Sequence, residues 1–217
     1  RDRYKGIDVE LAKEAFRRLG YRPKFENIVW EDKDELLADG TVDCLWSSYS
    51  MNGREDKYQW AGPYLYSRQM VVVKNESEIQ TLSDLKGKRI AVQATTKAED
   101  LFLHNIKSDL PQMQQVNCFS TTNEIYAALR KSYVDAIAGH EAMLGSLVKE
   151  GKDAYRMLDE SIYKSELGVA FKKGTHEEVA ADLTETLKKL QREGITEKIV
   201  TKYGLDADEI LPEGEQN

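Results

Sequence analysis

The sequence predicts an α/β protein of two similar lobes, on three observations. Helix-like and strand-like patterns alternate along the chain, which is how mixed and parallel sheets with covering helices are written. Its 217 residues suffice for one large domain or for two smaller lobes with a core each. A helix-to-strand unit also occurs twice, as Glu35-Leu36-Leu37-Ala38-Asp39-Gly40-Thr41-Val42-Asp43 and as Ala127-Ala128-Leu129-Arg130-Lys131-Ser132-Tyr133-Val134-Asp135. The copies stand about ninety residues apart, and each closes on Val-Asp before an apolar stretch. Such a unit is common in α/β proteins, so the echo gains weight only beside the other two observations.

From the N-terminus, Asp8 to Leu19 places Leu11, Ala12, Ala15, Phe16 and Leu19 on one helical face, with Gly20 as a stop. Val42 to Ser47 and Gln69 to Lys74 read as buried strands. Leu82 to Lys88 reads as a capped turn feeding a strand from Arg89 to Gln93. Helices are predicted over Lys97 to Lys107, Thr122 to Lys131 and His140 to Lys149, and over most of Thr175 to Tyr203 with a break at Gly194. The last dozen residues are acidic with one proline and read as a loose tail or linker. Cys44 and Cys118 sit in short apolar stretches read as strands, and buried free thiols are the simplest account of them.

Charged residues make up 32% of the chain, hydrophobic ones 41%, and the net charge is −7 with both signs interspersed. This is the composition of a globular protein, and it lacks the basic stripe a nucleic-acid partner would need. No apolar run approaches a membrane span. No charged-then-apolar signal opens the chain, so a secretion signal is expected to have been removed or to lie outside it. There is no Ser-His-Asp order, Cys-x-x-Cys, phosphate loop or clustered set of metal ligands. No catalytic residue, metal or cofactor is therefore assigned and no enzyme is expected, although absent motifs do not exclude general acid chemistry by a carboxylate such as Glu141.

Five segments are more specific. Gly6-Ile7-Asp8-Val9-Glu10-Leu11-Ala12, Gly53-Arg54-Glu55 followed by Trp60-Ala61-Gly62-Pro63-Tyr64, and Leu82-Ser83-Asp84-Leu85-Lys86-Gly87-Lys88-Arg89-Ile90-Ala91-Val92-Gln93 stand in the first half. Val134-Asp135-Ala136-Ile137 and Gly168-Val169-Ala170-Phe171-Lys172-Lys173-Gly174 follow. In order and spacing they resemble the family 3 bacterial solute-binding proteins, the polar amino-acid receptors of ABC importers. That resemblance implies a type II periplasmic-binding-protein fold: two lobes, each a mixed sheet flanked by helices, joined by two crossing strands that act as a hinge, with ligand in the cleft. Here it implies crossings near Val71 to Lys74 and Gly168 to Lys172, one lobe of residues 1–71 with 171–217, and a second of 75–167. It further implies an extracytoplasmic location, an amino acid or related carboxylate as ligand, and as partner an ABC permease. The alternative is a sensory domain whose partner is its own signalling domain, as in histidine kinases or cyclic-dinucleotide-synthesising enzymes. Some relatives of the fold are dehydratases or parts of lytic transglycosylases.

The resemblance also implies a site. Arg54 falls where the family binds the ligand α-carboxylate, a role suited to a permanently charged, bidentate donor. A surface Arg54 paired with Glu55 or Asp56 is the plainer reading. Ser50 stands for a carboxylate-binding threonine and Ser48 for a glycine, in a loop one residue shorter than the family's, while Asn52 reads as ordinary loop. Trp30, after a strand around Ile28-Val29, stands for an aromatic of the pocket wall; Trp46 and Trp60 read as structural. Gln93, Thr95 and Thr96 correspond to a loop before a helix, where carboxylate contact and simple N-capping are both open. The family's ammonium-binding Asp is replaced by His140 with Glu141 beside it. Either Glu141 takes the amino group, or the ligand lacks one, or His140 caps a helix and Glu141 is exposed. The family's first strand precedes the Gly6 motif, so part of the site is expected to lie outside this chain or in a longer protein. His104 and His176 are assigned nothing.

Overall fold

The computed structural model describes residues 4–107 and 109–212. The chain divides into two compact units, Arg1–Ser67 with Ser165–Asn217, and Arg68–Lys164. These limits fall a few residues before the crossings read from the motifs.

In the first unit, helix α1 (Ile7–Arg18) buries Leu11, Ala12 and Ala15. It ends in a Schellman motif: Tyr21 N–H bonds Phe16 C=O at 2.8 Å and Gly20 N–H bonds Arg17 C=O at 3.1 Å. Helix α2 (Lys33–Ala38) leads into strand β1 (Cys44–Ser50), which pairs antiparallel with β7 (Tyr163–Lys172). Leu167, Val169 and Phe171 of β7 face a core shared with α1 and with helices α6 (Glu177–Arg192) and α7 (Ile195–Lys202). Ala170 faces the other way, into a smaller cluster with Leu37, Leu45 and Tyr49. This is the two-residue alternation of a strand covered on both faces. Gly194 carries the left-handed turn (φ 75°) between α6 and α7.

The second unit is a sheet in which β2 (Tyr58–Lys74) pairs antiparallel with β5 (Ala136–His140). Strand β3 (Arg89–Gln93) lies parallel to β5 and to β4 (Gln115–Phe119). A short strand, β6 (Tyr155–Met157), also pairs with β2. Val71, Val73, Ile90, Val92, Ala136 and Ala138 face a core with helix α3 (Lys97–Phe102). Their neighbours Met70, Val72, Ala91 and Ile137 face a second core with α4 (Thr122–Arg130) and α5 (Glu141–Glu150). Buried on both faces, these strands read as continuous apolar runs. The Val-Asp of the second echo closes the sheet: Asp135 accepts from the Arg89 backbone N–H at 2.9 Å.

Several sequence expectations need correction. Strand β2 has 17 residues, not six, because Gly62-Pro63 reads as a breaker yet lies within the strand. Strand β1 begins at Cys44 and runs to Ser50 through segments expected to be loop. Helix α3 stops at Phe102, and Asn105 is left-handed (φ 52°) where helix was expected to continue. No strand forms at Ile28-Val29, and Val29 is exposed. The expected loose tail contains helix α8 (Ala207–Ile210), with Ile210 buried in the first unit's core; residues 213–217 lie outside the described residues. Both cysteines are free, but Cys44 is only half-buried, and Cys118 is exposed on β4, which ends the sheet.

Candidate functional site

The candidate residues fall into two groups, one in each unit. In the first unit β1 carries a bulge: Leu45 and Tyr49 pair with Ala170 and Gly168, so Trp46, Ser47 and Ser48 stand opposite the single residue Val169. The bulge turns at Ser48, which is left-handed at φ 51°. That conformation suits the glycine for which Ser48 stands. The Ser48 hydroxyl donates to Asp8 Oδ2 at 3.0 Å, and the Tyr64 hydroxyl donates to Asp8 Oδ1 at 2.7 Å. Ser48 is thereby committed to holding α1 against β1. Burial pushes the Asp8 carboxyl above its usual range, and the two hydroxyls offset only part of that rise.

Past the strand end the chain is fixed by backbone bonds. Met51 N–H bonds Glu166 C=O at 2.8 Å, and Asn52 Oδ1 accepts from Glu166 N–H at 2.8 Å and from the Ser50 hydroxyl at 3.3 Å. Asn52 thus ties the loop to β7, and the buried Ser50 spends its hydroxyl on that tie. Arg54 is half-buried. Its Nη1 donates to Ser50 C=O at 3.0 Å, its guanidinium lies 5.0 Å from the Tyr49 ring centroid, and its own C=O accepts from Trp60 Nε1 at 3.0 Å. Trp60 thus supports the backbone of Arg54.

The Tyr49 ring belongs to a cluster of four aromatic side chains. Tyr49 meets Trp30 edge-on at 5.0 Å and lies 5.5 and 5.4 Å from Tyr58 and Trp60. Tyr58 donates its hydroxyl hydrogen to Asp34, which leaves its oxygen to accept from Tyr49 at 3.0 Å. Against these rings lies Lys33, 6% exposed, with Nζ 5.1 Å from the Trp30 centroid and 5.9 Å from that of Tyr49. Burial holds the Lys33 ammonium below the ordinary lysine pKa; Asp34 offsets some of this, and Arg54 and Lys57 add to it. Sequence reading pointed to Trp30, Tyr49 and Arg54 and passed over Lys33 and Tyr58. Lys33 gives no signal, since Glu31-Asp32-Lys33-Asp34-Glu35 reads as a solvated charge run.

In the second unit Gln93, Thr95 and Thr96 form the turn from β3 to α3. Gln93 Nε2 donates to Ser120 C=O at 3.2 Å, and the Thr96 hydroxyl to Gln93 C=O at 2.7 Å. Thr96 is the N-cap residue, but its side chain does not bond a helix amide. Thr95 is left-handed (φ 60°), and its N–H donates to Glu99 Oε2 at 3.1 Å, so that amide already has a carboxylate. Its Oγ1 is buried without a hydrogen-bond partner. His140 caps α5 by position without a side-chain cap bond, and its Nδ1 lies 3.1 Å from Gln69 Nε2. Glu141 is not exposed as one reading held: Arg68 grips it through two bonds, Nε to Oε2 at 2.9 Å and Nη2 to Oε1 at 2.5 Å. Arg68 gives no sequence signal, and any ammonium reaching Glu141 must compete with it. Among the described residues no group of His, Cys, Asp and Glu could hold a metal ion, and no helix is long and apolar enough to cross a membrane.

Residues 1–206 match the family described as bacterial extracellular solute-binding proteins, family 3. The chain belongs to this family. It is 26% identical over 201 residues to the L-cystine-binding protein TcyJ of Escherichia coli (strain K12), covering 91% of this chain and 73% of that protein. A solved substrate-binding protein of an amino acid ABC transporter is 27% identical with a TM-score of 0.79, covering 91% of this chain and 87% of the other. An ABC uptake transporter substrate-binding protein from Streptococcus pneumoniae with bound histidine is 25% identical with a TM-score of 0.82, covering 94% and 85%. The fold class is therefore the type II periplasmic-binding-protein class implied by the five motifs.

Proposed function

We propose that the protein binds an amino acid outside the cytoplasm and delivers it to an ABC importer, without catalysing a reaction. The observation that carries this reading is the preparation of Arg54. Its guanidinium is tethered to Ser50 C=O, rests against Tyr49, and hangs from a backbone that Trp60 and Asn52 hold in place. A side chain fixed before the ligand arrives loses little entropy on binding a carboxylate. The relatives' names support amino acids as the ligand class and importers as the partner, and they favour transport over a sensory role. Most relatives are binding proteins, which supports a binder rather than an enzyme.

In this reading Arg54 takes the ligand carboxylate, with Trp30 and Tyr49 as apolar walls. In the second unit, Thr95 Oγ1 and Gln69 Oε1 are buried polar atoms that would gain from a new partner. The test is calorimetric titration of the purified protein with the common amino acids, followed by Arg54→Ala. Loss of a charge-assisted pair should weaken binding of the best ligand at least tenfold, about 1.4 kcal/mol. Binding of no amino acid overturns the function, and unchanged affinity in Arg54→Ala overturns the placement of the carboxylate.

A further inference from the structure

Lys33 is an anomaly in the aromatic cluster. A residue only 6% exposed ought to be apolar, or its charge ought to be matched. Lys33 has neither remedy: its ammonium makes one long hydrogen bond, to Trp30 C=O at 3.4 Å, and otherwise faces the Trp30 and Tyr49 rings. Asp34 and Glu31 lend some compensation through space, and Asp34 already accepts from Tyr58. Cation–π contact returns only part of the desolvation penalty of a buried ammonium. A methionine or leucine would fill the same space at no such cost.

The second cation, Arg54, lies over the same Tyr49 ring, 5.0 Å from its centroid where Lys33 is at 5.9 Å. An anionic group at that half-enclosed ring meets both positive charges at once. We propose that Lys33 is a specificity-determining residue that binds a second anionic group of the ligand, so that the ligand is an acidic amino acid. Resting on the function proposed above, this narrows its substrate class. Arg54 holds the α-carboxylate, Lys33 holds the side-chain carboxylate, and the rings exclude water from both pairs.

The experiment compares L-glutamate with L-glutamine and L-aspartate with L-asparagine, pairs that differ little in shape but by one charge. Calorimetric titration is run on the unaltered protein, Lys33→Met and Lys33→Gln, the second keeping a polar head if the first does not fold. In the unaltered protein one acidic member should bind at least tenfold more tightly than its amide. In the folded variant that preference should fall below about threefold, with affinity for the amide little changed. Equal affinity for acid and amide in the unaltered protein overturns the proposal, as does a preference that survives loss of the ammonium. If other amino acids bind and the acidic ones do not, Lys33 is refuted while the broader function stands. If none binds, both fail.

Discussion

Asp8 shows how a single residue shapes the candidate site without touching a ligand. It anchors α1 to the bulge at Ser48, and the bulge sets where β1 ends and where Arg54 emerges. Because burial raises its pKa, the folded state holds the Asp8 proton more tightly than the unfolded chain does. Its stabilising contribution is thus complete below the ordinary value of 3.8 and is lost as pH rises through the folded-state value. Asp8→Asn keeps an acceptor for Tyr64 and removes the titration. The stability advantage of the unaltered protein over Asp8→Asn should therefore shrink as pH rises above 3.8, followed by urea midpoints. A difference constant with pH would contradict this. Asp8 stands inside a motif that marked the family, so its importance was legible and its role was not. The hydroxyls of Ser48 and Tyr64 lie 40 and 56 residues away, a pairing that only the fold supplies. Arg54 and Trp30 were singled out through the resemblance. Lys33 and Arg68 were missed because charge patterns cannot show which lysine is buried or which arginine finds a carboxylate.

Elements were legible where local chemistry decides and obscure where tertiary packing does. Helices α1, α4, α6 and α7 carry apolar faces and clear stops, and their expected limits lie close to the observed ones. The extent of β2 was hidden by Gly62-Pro63, and α3 continued on paper past the point where Asn105 turns left-handed. The stop after α1 gives a clean test. Gly20 sits at φ 84°, and a Cβ added there would meet nothing within 4 Å, so substitution carries only backbone strain. Gly20→Ala should destabilise the protein by about 1 kcal/mol, read as a lower urea midpoint with an unchanged slope. An effect near zero would mean that the helix end re-forms another way. The ion pairs flanking this helix, Arg18–Glu193 and Lys202–Glu10, are exposed and contribute little by comparison.

For the whole molecule, occupancy and stability are one measurement. The first unit is assembled from the two ends of the chain and the second from its middle, and β2 and β7 each run from one unit into the other. Alternation and length pointed to two α/β units, and the five motifs supplied the fold class, because the family's order of elements cannot be derived from periodicity alone. A ligand that binds only the folded chain adds RT ln(1 + [L]/Kd), about 2.7 kcal/mol at a hundredfold excess over Kd. For a chain of this size that corresponds to a rise of roughly 5–10 °C in melting temperature. An amino acid that binds should produce this rise in the unaltered protein. Arg54→Ala, weakened at least tenfold, should show at the same concentration a rise smaller by about 1.4 kcal/mol, or roughly 3–6 °C. The comparison separates the two ways of losing the signal. A variant that melts low without ligand but shifts fully with it has a damaged fold and an intact site. One that melts normally and shifts less has lost the carboxylate contact, and only that pattern fits the role assigned to Arg54.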